Sequence, residues 1–279
     1  MCVYIHRLTC SENVFQEEVT SRLRASSTSH SYRIFRKPCL LMSARWESPS
    51  WSIVGVISRP MMHSDLLLAL APDFPVPTQL RQANAALTHL LQKGISPSNI
   101  VIGGDSAGGN LTLQLASHLL HPLASIPAPP TLSQPLAGAL LISPWVAYSV
   151  DAPSYVRNDG KDLILSRAYK FMGDVVRLGV TPELEHHVEP ATAPAGWWSG
   201  LDGVYPRILI TTGEHECLFD QIIDASSIIG QHVKDTTTVV EPGGVHEDMI
   251  TKFVVGQGGN GKDYDATVAF LTRSFGGRI

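Results

Sequence analysis

The stretch from Asn99 to Asn110 constrains the fold of this chain more than any other. A short apolar run, Ile-Val-Ile, leads into Gly-Asp-Ser-Ala-Gly-Gly and then into leucines with helical spacing. A strand must therefore stop, turn sharply and start a helix, with Ser106 at the apex. A side chain at Gly104 or Gly108 would crowd such a turn, so glycine suits both positions. The stretch predicts a strand–turn–helix unit that presents Ser106 as a candidate nucleophile.

The start of the predicted helix offers a place for negative charge. The first backbone N–H groups of a helix have no acceptor within the helix and point toward the preceding turn. If Ser106 attacks a carbonyl, the N–H of Ala107 can receive the developing charge, and Gly108 is the next candidate donor. Ala107 and Gly108 are therefore the predicted oxyanion hole.

The rest of the chain alternates between apolar runs of strand length and amphipathic helices. This rhythm implies a parallel sheet covered by helices on both faces, an α/β fold in one domain. Residues 1–37 lack a clear period, and residues 1–65 are predicted to be an atypical, partly disordered N-terminal region; residues 66–279 form the domain. An aromatic-rich insertion of about 146–205 is predicted to be a helical lid. The predicted strands are 38–42, 51–57, 66–70, 100–102, 136–142, 207–212 and 236–241, and the helices 78–93, 107–120, 166–178, 219–232 and 262–275.

Composition excludes several classes of protein. The chain has 279 residues and a net charge of -4, so it carries no electrostatic footprint for nucleic acid. Its four cysteines form no regular framework, which favours free thiols in a reducing compartment. No run approaches the length of a membrane helix, and residues 1–15 do not read as a signal peptide. We expect a cytoplasmic protein that acts on a small molecule; the sequence does not define its oligomeric state.

Partners for Ser106 lie where later strands end. A nucleophilic serine needs a base and an acid that orients the base, and the carboxyl ends of parallel strands gather at one edge of a sheet. His246 follows the last predicted strand and is the predicted base. The strand 207–212 leads into a loop with two candidate acids, Glu216 first and Asp220 second. Asp220 falls near a helix start, where a carboxylate can instead serve as an N-cap.

These motifs resemble one family. The segment from about Leu66 onward is similar to the hormone-sensitive-lipase-like branch of the α/β-hydrolases, in its fungal form. The resemblance implies an α/β-hydrolase fold and a serine esterase without a metal or organic cofactor. It implies the triad Ser106, Glu216 and His246, because Glu216 falls on the first aspartate position of the family's Asp-x-Leu-x-Asp string. The matching stretches are 70–77, Gly-Asp-Ser-Ala-Gly-Gly at 104–109, Ile-Ser-Pro-Trp at 142–145, 213–220 and Gly-x-His at 244–246.

One departure bears on activity. The family carries a His-Gly-Gly-Gly string after an early strand, and its N–H groups form the other half of the oxyanion hole. This sequence has no such string, so the early strands are expected to be missing or irregular. We therefore expect weak ester hydrolysis through an acyl-enzyme. The alternatives are a catalytically impaired hydrolase-fold protein that binds a ligand, or a degenerate gene product.

Three further features of the sequence bear on function. Four aromatic residues near the predicted lid, Trp145, Tyr148, Trp197 and Trp198, are candidates for an apolar substrate pocket. The string Gly-x-x-x-x-Gly-Lys at 256–262 lacks the serine or threonine that a phosphate loop needs, and a flexible loop is predicted instead. His186 and His187 are adjacent, so their side chains point apart; a solvated loop is predicted there and no metal site.

Overall fold

The computed structural model describes residues 71–276 in full and the backbone of three earlier strands, at residues 5–6, 53–58 and 62–67. The predicted strand 38–42 lies outside the described residues. Within the described residues no helix is long and apolar enough to cross a membrane.

The fold is built on one sheet with seven strands in the described residues. The strands are β1 Ile5–His6, β2 Ile53–Ser58, β3 Met62–Leu67, β4 Ile100–Asp105, β5 Gly138–Ile142, β6 Arg207–Gly213 and β7 Asp235–Glu241. Their order across the sheet is β1-β3-β2-β4-β5-β6-β7. The strands β4 to β7 are parallel neighbours, as the sequence predicts.

The other side of the sheet is antiparallel. β2 pairs antiparallel with both β3 and β4, and β1 pairs antiparallel with β3. Close succession along the chain favours the antiparallel pairing of β2 with β3, because parallel neighbours need a long crossover connection. β3 begins at Met62, earlier than the predicted strand 66–70, and Ile53 of β2 lies opposite Leu67. Residues 68–70 lie outside the described residues.

Helices cover the sheet on both faces. They are α1 Thr78–Gln92, α2 Ala107–Leu120, α3 Pro153–Arg157, α4 Ser166–Arg177, α5 Glu185–Val188, α6 Phe219–His232, α7 Asp248–Val254 and α8 Lys262–Ser274. Four short 3-10 helices occur at Pro97–Asn99, Pro190–Thr192, Ala195–Trp198 and Leu201–Gly203. The five longer helices match the predicted ones closely, whereas α7 was not expected from the sequence.

Successive side chains of the parallel strands pack alternately into two hydrophobic cores. On β4, Ile100 and Ile102 belong to a large cluster with α1, α2 and α6, while Val101 faces a smaller cluster. Successive side chains of a strand point to opposite faces, so a strand buried on both faces reads as a continuous apolar run. The smaller cluster includes Met249 from α7 and Phe270 from α8. The described helices therefore close both faces of the parallel half of the sheet.

Candidate active site

Ser106 stands at the apex of the turn between β4 and α2. Its φ of 49° and ψ of -116° lie in a region that residues other than glycine rarely occupy. Two hydrogen bonds hold this peptide: Ser106 N–H donates to the Ile142 carbonyl, and Trp145 N–H donates to the Ser106 carbonyl, each at 2.9 Å. A Cβ at Gly104 would overlap the backbone of Gly108. The turn thus requires glycine at position 104.

Hydrogen-bonding distances link Ser106 to His246 and His246 to Glu216. Ser106 Oγ is 2.9 Å from His246 Nε2, across 140 residues of sequence. His246 Nδ1 is 3.2 Å from Glu216 Oε2. All three residues are buried. With the Nδ1 hydrogen donated to the carboxylate, Nε2 is left to accept the serine hydroxyl proton.

The loops after β6 and β7 pack directly on each other. His215 N–H donates to the Gly244 carbonyl at 2.8 Å, and Glu214 N–H donates to the Glu241 carbonyl at 3.0 Å. A Cβ at Gly213 would lie 2.5 Å from the carbonyl carbon of Gly244. The loop that carries Glu216 can therefore approach the loop that carries His246 only with glycine at position 213.

Ser143, which follows β5, joins the two loops. Its hydroxyl donates to Glu216 Oε1 at 2.5 Å and accepts the N–H of Glu247 at 3.1 Å. Gly213 N–H also donates to Glu216 Oε1, at 2.5 Å. Ser143 and Glu247 have φ values of 44° and 56°, and with Ser106 they are the non-glycine residues of positive φ among the described residues. Backbone conformations of this kind cluster where the surrounding structure holds a site in place.

The electrostatics favour a charged imidazole. Burial lowers the pKa of His246, but the hydrogen bond to Glu216 and the charges of Glu247, Glu216 and Asp162 outweigh burial and raise the pKa to about 9. Burial raises the pKa of the Glu216 carboxyl, and hydrogen bonds from His246, Gly213 and Ser143 oppose that shift. The pair is arranged to stabilise the imidazolium that forms when His246 accepts a proton.

Asp220, the alternative acid, has other partners. Its carboxylate accepts the N–H of Ser154 at 2.7 Å and forms an ion pair with Arg157 at 2.7 Å. These contacts tie α3 to the first turn of α6, where a carboxylate also suits the helix dipole. The carboxylate at Nδ1 of the imidazole is that of Glu216, the first of the two candidate acids.

The four predicted pocket aromatics divide into two groups. The Trp145 and Tyr148 rings are 4.8 Å apart, and Trp145 reaches the His246 ring through Tyr169, with ring centroids 5.9 and 5.8 Å apart. Trp197 instead stacks on His121 at 3.9 Å and donates its indole N–H to Ser117 Oγ at 2.9 Å. Ser117 is eleven residues beyond Ser106, or about 16 Å along α2. Trp198 is buried in the larger core.

The two motifs for which the sequence predicts no ligand have structural roles. His187 is buried rather than solvated; its Nδ1 lies 2.8 Å from Ser117 Oγ, which corrects the predicted loop. The start of α8, in the string that resembles a phosphate loop, is bound by Glu241, whose Oε2 accepts the N–H of Lys262 at 2.6 Å. A carboxylate thus occupies the position that a phosphate would need. Within residues 71–276 no group of three or more histidine, cysteine, aspartate or glutamate side chains is arranged to hold a metal ion.

The sequence analysis did not predict several residues of this site. Ser143 follows a predicted strand, so the rule that located Glu216 and His246 could have found it. Tyr169 lies on α4, and Asn158 and Asp162 lie in the irregular stretch between α3 and α4, where no sequence pattern marks them. Asn158 donates to the Glu216 carbonyl at 2.8 Å, and Asp162 contacts both loops.

The strand–turn–helix unit lies within a segment that matches a known protein family. Residues 68–250 match the model of a family described as having the alpha/beta hydrolase fold. The chain belongs to this α/β-hydrolase family. Solved esterases resemble it in three dimensions. An esterase from the bacterial hormone-sensitive lipase family superposes with a TM-score of 0.60 at 22% identity, covering 76% of this chain and 65% of that one. An esterase/lipase from an uncultured bacterium gives a TM-score of 0.59 at 24% identity, covering 77% and 65%.

Two bacterial proteins share sequence with this chain. The acetyl-hydrolase of Streptomyces hygroscopicus is 30% identical over 151 residues, 53% of this chain and 44% of the relative. The esterase of Acinetobacter venetianus is 28% identical over 152 residues, 54% of this chain and 45% of the relative. The matches span less than half the length of these curated relatives. The predicted α/β-hydrolase fold is confirmed, while the fungal type remains a prediction.

Proposed function

We propose that this α/β-hydrolase is a serine esterase that cleaves carboxylic esters through an acyl-enzyme. The observation that carries the proposal is the path from Ser106 Oγ through His246 to Glu216, with distances of 2.9 and 3.2 Å. A serine, an imidazole and a carboxylate in this order form a nucleophile, its base and the group that orients the base. The names of the two relatives, acetyl-hydrolase and esterase, support the same chemistry.

Each residue has a defined role in the proposed mechanism. His246 takes the Ser106 proton as Oγ attacks the ester carbonyl, and Glu216 stabilises the resulting imidazolium. Backbone N–H groups of Ala107 and Gly108 stabilise the oxyanion. The imidazolium then protonates the leaving alcohol. Water, activated by His246, releases the acid and restores the serine.

We also propose that turnover is low and that the acyl group is small to medium. The sequence lacks the His-Gly-Gly-Gly string, and loss of one oxyanion donor costs on the order of 10²–10³ in turnover. The Tyr169 ring packs against His246, with Trp145 behind Tyr169 and Tyr148 behind Trp145, and these rings limit the space next to the base. The segment 146–205, which connects β5 to β6, is proposed as the lid over this site.

A fluorophosphonate probe and a nitrophenyl ester test the proposal together. We expect the wild-type protein to label covalently and to release nitrophenol from p-nitrophenyl acetate, and Ser106→Ala to do neither. Ser125→Ala removes an exposed hydroxyl and should behave as wild type. Absence of labelling in a folded wild-type protein would favour a ligand-binding role. Labelling that persists in Ser106→Ala would place the nucleophile elsewhere.

A further inference from the structure

Asp162 contacts both loops that carry the proposed base and acid. Its Oδ1 accepts the backbone N–H of His246 at 2.8 Å, and its Oδ2 accepts the backbone N–H of Cys217 at 2.7 Å. Oδ1 also accepts the N–H of Leu163 at 2.7 Å, which fixes the carboxylate in its own turn. The Asp162 side chain is buried, so bulk water does not compete for these bonds.

The two N–H groups lie at or next to the proposed base and acid. One is on His246 itself, and the other is on the residue that follows Glu216. A displacement of either loop would change the distance between the imidazole and the carboxylate. The neighbouring side chain of Asn158 reaches only the loop of Glu216, where it donates to the carbonyls of Glu214 and Glu216 at 3.2 and 2.8 Å. Of these two side chains, Asp162 is the one that contacts both loops.

We propose that Asp162 is a positioning residue, whose carboxylate locks the loops of Glu216 and His246 in the register that lets the imidazole bridge acid and nucleophile. The inference rests on the proposed function, because it assigns Asp162 a part in the same reaction. It also gives the segment between β5 and β6 a direct link to the chemistry. A segment that moves away from the sheet edge takes the Asp162 carboxylate away from both loops.

Asp162→Asn is the most specific test of this proposal. The amide keeps the shape of the side chain but has one acceptor oxygen and an NH₂ group. Whichever way the amide turns, the NH₂ faces the N–H of either Cys217 or His246, so one loop loses its bond and meets a donor. Asp159→Asn is the matched control, since Asp159 is exposed in the same turn and accepts only the N–H of Ser166 among its described hydrogen bonds.

We expect kcat for p-nitrophenyl acetate to fall about 100-fold in Asp162→Asn with little change in KM, since a small misplacement of a catalytic group costs about that much. Asp159→Asn should keep the wild-type kcat. Unfolding midpoints are measured for every variant, and assays are run well below them. A kcat that stays at the wild-type value while the midpoint falls would show a purely structural role and overturn the proposal.

Proton NMR separates this inference from the proposed function. The hydrogen shared by His246 Nδ1 and Glu216 should give a low-field resonance in the wild type that is lost in Glu216→Gln and in Asp162→Asn but retained in Asp159→Asn. If the wild type hydrolyses no ester, the proposed function fails while the resonance still tests the positioning. If Asp162→Asn does not fold, Asp162→Ser, which leaves space for water beside both N–H groups, takes its place. An intact resonance in a folded Asp162 variant contradicts the inference.

Discussion

Glu247 places a second carboxylate beside the imidazole of His246, on the side of the nucleophile. Its Oε1 lies 3.5 Å from His246 Nε2, the nitrogen that is also 2.9 Å from Ser106 Oγ. Burial lowers the pKa of His246, but the Glu216 hydrogen bond and the Glu247 charge help to raise it to about 9. A base has to be neutral to accept a proton, so kcat/KM should rise with pH and level off above about 9.

Removal of the Glu247 charge should move this pH dependence. In Glu247→Gln the pKa of His246 falls, so the acid limb of the kcat/KM profile shifts to lower pH and activity near pH 7 increases relative to its plateau. The measurement is a pH–rate profile with a nitrophenyl ester. Glu183→Gln, which neutralises an exposed carboxylate in the segment between β5 and β6, should leave the profile in place. Coincident profiles for wild type and Glu247→Gln would show that the Glu247 charge does not reach the base.

The two candidate acids should separate cleanly by substitution. Glu216→Gln removes the charge that stabilises the imidazolium and allows the wrong tautomer, so kcat should fall about 10⁴-fold. Asp220→Asn weakens a partly exposed ion pair with Arg157, which is worth less than about 1 kcal/mol, and should leave kcat near wild type. Parallel kcat and urea-unfolding measurements check both. A large loss of kcat confined to Asp220→Asn would reverse the assignment.

At the scale of the element, the turn between β4 and α2 depends on backbone contact at Gly104. Gly104→Ala places a Cβ into the backbone of Gly108, so the turn must open and Ser106 must move. We expect loss of fluorophosphonate labelling and marked destabilisation. Gly230→Ala is the matched control, because a Cβ there meets nothing within 4 Å and alanine favours helix α6 by about 0.5–1 kcal/mol. A Gly104→Ala protein that labels at the wild-type rate would contradict the overlap.

The elements that carry the triad were the most predictable part of the chain. β4 and β6 read as apolar runs because they are buried in the parallel half of the sheet, whereas β7 reads as a strand from its β-branched threonines and valines. The rule that strand ends meet at one edge predicted that Ser106, Glu216 and His246 lie together. Strand direction was not readable for β2, since an apolar run does not encode whether its neighbour is parallel. Asp162 was also hidden, because its role comes from backbone N–H groups of loops distant in sequence.

On the scale of the whole molecule, the two cores are unequal but share the same strands. β5 sends Ala139 and Leu141 into the larger cluster and Leu140 and Ile142 into the smaller one. Loss of packing on one face should therefore weaken the other through the sheet. The alternative is a smaller core that unfolds first and leaves the larger one intact, which would give two transitions.

Phe270 offers a test of this coupling, because it lies in the smaller core against β5. A Cβ at Gly138 would lie 3.0 Å from its ring, and the side chain is buried. Phe270→Ala should lower the free energy of unfolding by about 3–5 kcal/mol through the lost burial and the cavity. Val268→Ala, at a half-exposed position on the same helix, should cost far less. Trp145 and Trp198 belong to the larger core and Trp197 packs against it, so in a background with Trp46→Phe and Trp51→Phe the tryptophan fluorescence during urea unfolding reports the face opposite the substitution. A shifted fluorescence midpoint that coincides with the far-UV circular dichroism midpoint indicates one cooperative unit, whereas an unshifted fluorescence transition would mean that the two faces unfold separately.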